Sequence, residues 1–252
     1  MARQGGIIPL KGTIGNITFY KSKAGYLARE KGGVEASRIA SDPAFIRTRE
    51  NGEEFGRAGK AGKLLRTAFR AMVQKAGDTY MVGRLTKAFV KVIQADLVSV
   101  RGKRNVIDGE AELLQGFEFN VNGRLQSTLY APFAADIDRA TGTLTIEIPP
   151  FVPADMIAAP AGSTHYKISY GIAEIDFEAE TFVNNMQTVG EKPINNVLTA
   201  PFSLAANIGA NSTKPLFIAL GIEFLQQVNN TLYSLKNGAY NALGLVLVSG
   251  LP

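Results

Sequence analysis

From about residue 111 onward, apolar residues fall at alternate places in short runs, and turn-forming residues separate the runs at the spacing of an all-β domain. A period of two means extended chain, and strands this close in sequence, joined by tight turns, pair antiparallel. "FEFNVNGRLQSTLY" holds Asn122-Gly123 between two extended segments and predicts a hairpin, because both turn residues tolerate positive φ. "FAADIDRATGTLTIEI" predicts a second hairpin around "RATG". "HYKISYGIAEIDFEAETF" reads as one long strand, and its change of parity, from Ile168, Tyr170 and Ile172 to Ile175 and Phe177, predicts a bulge near Ala173. Strands follow at "LFIALGIEFLQQV", "TLYSLK" and "LGLVLV", with turns at Asn229-Asn230 and Asn237-Gly238. About seven strands at this spacing predict an antiparallel sandwich or barrel.

The preceding residues carry a different period. "SDPAF" is a helix start, with Ser41 or Asp42 as N-cap and Pro43 at the first helical position. Phe45, Ile46, Phe55, Leu64, Leu65, Phe69, Met72 and Val73 then recur at helical spacing up to Ala76, and Gly77-Asp78 ends the run. A second helix is expected after Asp78, with Val82, Leu85, Phe89, Val92, Ile93 and Leu97 on one stripe, stopping near Gly102. Before both, residues 12–33 read as a β-hairpin or extended arm that turns at "SKAG". Two strands alone are marginal in water, so the arm should lean on something. The expectation is an α+β chain: a β-hairpin arm over 1–40, a basic helical hairpin over 41–104 and an antiparallel β-sandwich over 105–252.

Charge divides the chain in the same way. Residues 1–110 hold 21 Lys and Arg against 10 Asp and Glu, a net +11, and residues 111–252 hold 6 against 12, a net −6. There is no cysteine, which excludes disulfides, thiolate metal sites and a cysteine nucleophile. The opening "MARQGGIIPL" lacks the apolar core of a secretory signal, and "LGLVLV" is too short to span a bilayer as a helix. A soluble chain made in the cytoplasm is expected, its final address open and a particle or extracellular filament included.

The stretch "GRAGKAGKLLR" sets Gly56, Gly59 and Gly62 beside Arg57, Lys60, Lys63 and Arg66. It is not a phosphate loop: Arg57 stands where the first Walker glycine belongs, Leu64 replaces the magnesium-binding hydroxyl, and the glycines lie inside a helical pattern. Each glycine costs a helix about 1 kcal/mol relative to Ala, so close approach by another element is expected along them. The cations, continuing to Arg70, can be a solvated face, a protein contact or a nucleic-acid stripe binding phosphates through Lys60, Lys63, Arg66 and Arg70. Glu174, Asp176, Glu178 and Glu180 alternate, so as a strand they share one face, which is a wet surface or a receiver for the basic residues of another subunit.

Signals for chemistry are weak. Asp136, Asp138 and Glu147 occupy the first, third and twelfth places of an EF-hand loop, but Thr141 stands at the turn glycine and the flanks read as strands, so a hairpin turn outweighs a calcium site. His165 is the only histidine, no nucleophile elbow marks a partner for it, and no Trp offers a sugar platform. No catalytic residue, metal or cofactor is expected. A carbohydrate-binding sandwich would need exposed aromatics, for which Tyr130, Tyr166 and Tyr240 are the candidates.

"GTIGNITFYKSKAGYLAREKGG", continued by "DPAFIRTRENGEEFGRAGKAGKLLR" and the ending "LYSLKNGAYNALGLVLV", resembles a family of uncharacterised Bacteroidota proteins with a GNITFYK-type β arm. Some members sit in phage-like or mobile-element contexts, so the resemblance implies a structural role and carries over no catalytic residue. With the charge polarity, it leads to the expectation of a non-enzymatic self-assembling protein, a filament, tube or virion-like component built from copies of itself. Its contacts would be head-to-tail, with the arm residues Ile17, Phe19 and Tyr20 adding as an edge strand, Gly56, Gly59, Gly62, Arg57, Lys60 and Lys63 on the helix, and Glu174, Asp176 and Glu178 on the sandwich. Nucleic-acid binding through the basic stripe is the alternative.

Overall fold

The computed structural model describes residues 2–6, 8–30 and 32–250; Lys31, inside the expected arm, lies outside them. The chain divides into two compact units, Met1–Arg49 and Glu50–Pro252. The boundaries expected at 40/41 and 104/105 are replaced by this single one, because the helical residues after Glu50 share a core with the sheets that follow.

Met1–Arg49 is more than a hairpin. Strands β1 (Ala2–Arg3), β2 (Gly12–Ile14), β3 (Ile17–Ser22) and β4 (Gly25–Glu30) form an antiparallel sheet in the order β1-β4-β3-β2. The expected turn joins β3 to β4, with Ser22 opposite Gly25. A short helix, α1 (Ala36–Ser41), follows, and Asp42 then caps a 3-10 turn, Pro43–Phe45, by accepting the Ala44 N–H at 2.9 Å. Among the described residues of this unit, none is buried.

In Glu50–Pro252 the helical run expected to continue to Ala76 breaks at Phe69 (φ −101°, ψ 23°) into α2 (Ile46–Ala68) and α3 (Arg70–Ala76). Helix α4 (Met81–Gln94) ends earlier than expected. The Asp96 carboxylate accepts the N–H groups of Val98 and Ser99 at 2.8 Å and of Asn105 at 3.0 Å, which turns the chain away and leaves Leu97 94% exposed. Strands β7 (His165–Asp176), β8 (Thr181–Thr188), β9 (Lys192–Pro193), β11 (Leu216–Val228), β12 (Thr231–Ser234) and β13 (Ala242–Ser249) build a six-stranded antiparallel sheet with β7 and β11 at its centre. A three-stranded sheet, β10-β6-β5, is made from β5 (Ala134–Asp138), β6 (Thr143–Ile148) and β10 (Phe202–Asn207). Two helical turns, α5 (Leu125–Thr128) and α6 (Pro153–Met156), complete the unit.

Two cores lie on opposite faces of the large sheet. On one face Leu65, Phe69, Leu85 and Phe89 of the helices meet Ala173, Ile175, Phe217 and Ala219. On the other, Ile168, Tyr170, Ile172, Ile218 and Leu220 meet Leu144, Ile146 and Ile148 of the small sheet. The parity change in β7 therefore needs no bulge: even positions face one core, odd positions the other, and the pairing with β8 and β11 runs without a shift. The irregularity lies instead at Ile218/Ala219, in the pairing of β11 with β13.

The hairpin at "RATG" forms between β5 and β6, and that at Asn229-Asn230 joins β11 to β12 with both turn residues at positive φ; the turn at Asn237-Gly238 belongs to a 3-10 segment, Leu235–Gly238, that links β12 to β13, which both pair with β11. The hairpin expected at Asn122-Gly123 does not form. Residues 117–119 instead pair with β13, Phe119 N–H donating to Leu243 O at 2.8 Å and Leu245 N–H to Phe117 O at 3.0 Å. Asn120 Nδ2 then donates to Asn241 O at 2.8 Å while its Oδ1 accepts the Asn122 N–H at 3.0 Å, and Gly123 packs so closely on the 240–241 backbone that an added Cβ would fall 2.5 Å from Tyr240 O. Burial of Phe119 and Leu114 outweighs the local turn preference.

Two core tyrosines differ in one respect. Tyr170 Oη donates to Leu144 O at 2.7 Å, whereas the buried Tyr166 hydroxyl has no hydrogen-bond partner among the described residues, and burial pushes its pKa up to about 12. Tyr170→Phe should lower the unfolding free energy by about 1 kcal/mol, while Tyr166→Phe should leave it unchanged or raise it. Urea unfolding midpoints of the two variants, compared at equal m-value, measure this.

Candidate functional site

The face of α2 that packs inward is Ala58, Ala61, Gly62, Leu65 and Ala68. Of the three glycines expected to form a close-packing seam, Gly62 lies against α4, where an added Cβ would sit 3.5 Å from Phe89 and 3.6 Å from Leu85. That is ordinary contact. At Gly56 and Gly59 an added Cβ meets nothing within 4 Å, so the seam is formed chiefly by alanines. Where the helices meet the large sheet, the close approach is at Gly171 of β7, where a Cβ would fall 2.6 Å from Met72 Sδ and 3.1 Å from the Phe69 ring. Gly56→Ala and Gly59→Ala should each stabilise the chain by about 1 kcal/mol through helix propensity alone. Chemical denaturation tests this, and a loss of stability would show that the bare face is occupied.

The cations beside these glycines serve unequal roles. Arg57 donates to Arg104 O at 2.7 Å and to Gly102 O, while buried Glu54 accepts the Gly102 N–H at 2.8 Å, so the pair pins the loop after α4. Arg66 Nε donates back to Gly62 O on its own helix at 3.1 Å. Lys60 Nζ stands 3.4 Å from Glu180 across a cleft of about 230 Å³ that Leu64, Val106 and Phe177 also line. Both members of that pair are largely exposed, so it adds little stability. Lys63 and Arg70 are exposed. The four residues expected to track a phosphate backbone thus do not form one continuous free stripe.

The acidic row is not a strand face. Strand β7 stops at Asp176, and residues 177–180 turn into β8 with Glu180 at φ 54°. The Asp176 carboxylate closes that turn by accepting the N–H groups of Ala179 (2.8 Å) and Glu178 (3.0 Å), and it pairs with Lys214 at 2.9 Å. The Ala179 N–H and then Lys214 hold its pKa below the usual carboxylate value. Glu174 lies near Arg139 and Lys214, and Glu178 is exposed at the turn. Three of the four acids are therefore at a hairpin end, and only Glu174 and Asp176 alternate on a strand.

In the N-terminal sheet, register places Ile17, Phe19 and Lys21 of β3 on one face with Ile14 of β2 and Tyr26 and Ala28 of β4. Tyr20 falls on the opposite face with Thr18, Leu27 and Arg29. β3 is paired on both sides, so it offers no edge for strand addition; the outer strands are β1 and β2. What Ile17 and Phe19 offer is a face, with Ile14 64% and Ile17 45% exposed. Tyr26 reads from the sequence only as the start of the return strand, and Ile14 and Ala28 carry no signal of their own. Cross-strand pairing about the Gly15-Asn16 and Lys23-Ala24 turns is the signal that unites them.

Among the described residues no group of three or more His, Asp and Glu could hold a metal ion, and no helix is long and apolar enough to cross a membrane. His165 Nδ1 is hydrogen-bonded to its neighbour Thr164 Oγ1 at 2.9 Å. The hairpin between β5 and β6 occupies the EF-hand-like stretch, its turn capped by Asp138 accepting the Ala140 N–H at 2.9 Å. No protein-family model, curated protein or solved structure matches the chain.

Proposed function

We propose that this chain is a non-enzymatic, self-assembling structural protein, a repeating subunit of a filament, tube or virion-like particle, in which the N-terminal sheet of one copy packs on another copy. The observation that carries this reading is a four-stranded sheet in which no described residue is buried. Fixing each backbone residue costs about 1–2 kcal/mol, and a sheet without a covered apolar face has little to offset it. Packing Ile14, Ile17 and Phe19 on a neighbour supplies that burial.

Charge favours a neighbour of the same kind. Residues 1–49 hold nine Lys and Arg against three Asp and Glu, a net +6, whereas Glu50–Pro252 holds 18 against 19, its acids concentrated in residues 111–252, which carry −6. A basic sheet on one copy that meets an acidic surface within residues 111–252 of the next makes a heterologous contact, which closes into a ring or runs on as a polymer. Negative-stain microscopy and sedimentation velocity of the full chain, beside a chain lacking residues 1–33, test the proposal. Polymers or rings from the first and dispersed particles from the second are expected. A full chain that stays monomeric, or one that is held together only by co-purifying nucleic acid and disperses on nuclease treatment, would overturn it.

A further inference from the structure

The small sheet turns one face outward. Cross-strand register puts Ala134, Asp136 and Asp138 of β5 in line with Glu147, Thr145 and Thr143 of β6, and these with Ser203, Ala205 and Asn207 of β10. Alternate residues, among them Ile137, Leu144, Ile146 and Leu204, point into the core against the large sheet. The outer face is therefore three strands wide, built of small side chains and three carboxylates, with no Lys or Arg among the nine. Asp138 is occupied by its own turn, but among the described residues Asp136 and Glu147 have neither an ion pair nor a side-chain hydrogen bond. At the Ala134 end the face opens into a largely apolar hollow of about 460 Å³ between Pro132, Phe133, Pro149, Pro201 and Phe202, which Glu147 and Ser203 also line.

Resting on the self-assembly reading above, we infer that this outer face is the acceptor for the N-terminal sheet of a second copy. The two faces match in order as well as in sign. Along β3 the N-terminal sheet's face reads Ile17, half-buried Phe19 and Lys21, apolar then cationic, with Glu30 of β4 beside Ile17 and the Lys21 ammonium 5.6 Å from the centre of the Tyr26 ring. Along β5 the acceptor reads from the hollow at Ala134 to Asp136 and Asp138, apolar then anionic. Alternate residues of any strand are about 7 Å apart, so seating Phe19 in the hollow brings Lys21 over Asp136. Small side chains under the arm let two sheets approach to the usual separation of about 10 Å. Burial in the hollow supplies the affinity, and the Lys21–Asp136 pairing sets the register and orientation.

Charge exchange in the full chain tests this, with assembly followed by sedimentation and folding by circular dichroism. Asp136→Lys with Glu147→Lys should weaken assembly at least about tenfold, Lys21→Glu should do the same, and combining Lys21→Glu with Asp136→Lys should restore most of it. If the reversals disturb folding, Asp136→Asn with Glu147→Gln keeps shape and should still weaken assembly and flatten its salt dependence. Wild-type assembly by folded Asp136→Lys, Glu147→Lys chains, alongside failure of the chain lacking residues 1–33, would place the acceptor elsewhere and leave self-assembly standing. Failure of the wild-type chain to assemble removes both.

Discussion

Phe19→Asp in the full chain is expected to abolish assembly while leaving the main cooperative unfolding transition unmoved. Phe19 is half-buried at the centre of the face of β3 that carries Ile17 and Lys21, opposite the small residues Gly12 on one side and Ala28 on the other. A carboxylate there must be desolvated if the face is covered, at a cost of several kcal/mol, but costs little while the face stays wet. The main transition belongs to Glu50–Pro252, whose two cores contain every buried hydrophobic residue described. Sedimentation beside a thermal melt separates the two effects. A variant that still assembles, or one whose main transition falls with its assembly, would show that the face of β3 is not a contact surface. Tyr20→Asp, on the opposite face of the same strand, is the internal control and should assemble.

The strands of the small sheet were legible because a half-buried strand writes its burial into alternate residues, as "LTIEI" does. Asn229 and Asn230 were legible as a turn because few residues accept φ values of 48° and 63°. Which face met which layer was not. β7 and β11 are covered on both sides, so their apolar residues run nearly continuously, and a doubly buried strand looks like a strand with a slip. The acid row failed for a local reason: Asp176 bonds the backbone two and three residues on, which bends a segment whose alternation promised extension. Glycine spacing in α2 suggested a seam, yet alanines supply most of it, since small size rather than glycine itself is enough for helix packing there. The acidic positions of β5 and β6 drew attention only for their resemblance to a calcium loop. Their alternation with Ile137, Leu144 and Ile146 was the better signal, because it marks one face of a sheet as wet and free.

Phe69→Ala is expected to lower the unfolding free energy of the chain by about 3–5 kcal/mol, a large fraction of what a domain of this kind possesses. Phe69 is fully buried and stands at the break between α2 and α3, where the backbone leaves helical geometry to set the ring over the large sheet. Below it lies Gly171, whose missing side chain allows Phe69 and Met72 to approach β7. Deleting the ring removes burial and leaves a cavity that a central strand, paired on both sides, cannot collapse to fill. Gly171→Ala probes the same contact from the other side and should cost about 1–3 kcal/mol by overpacking. Because its closest clash is with Met72 Sδ, that cost should shrink when Met72→Ala is combined with it, a coupling a double-mutant cycle in urea reads directly. Additive costs would mean that the helical layer and β7 yield independently. The helical segment is then a separable covering, and not the second wall of one core.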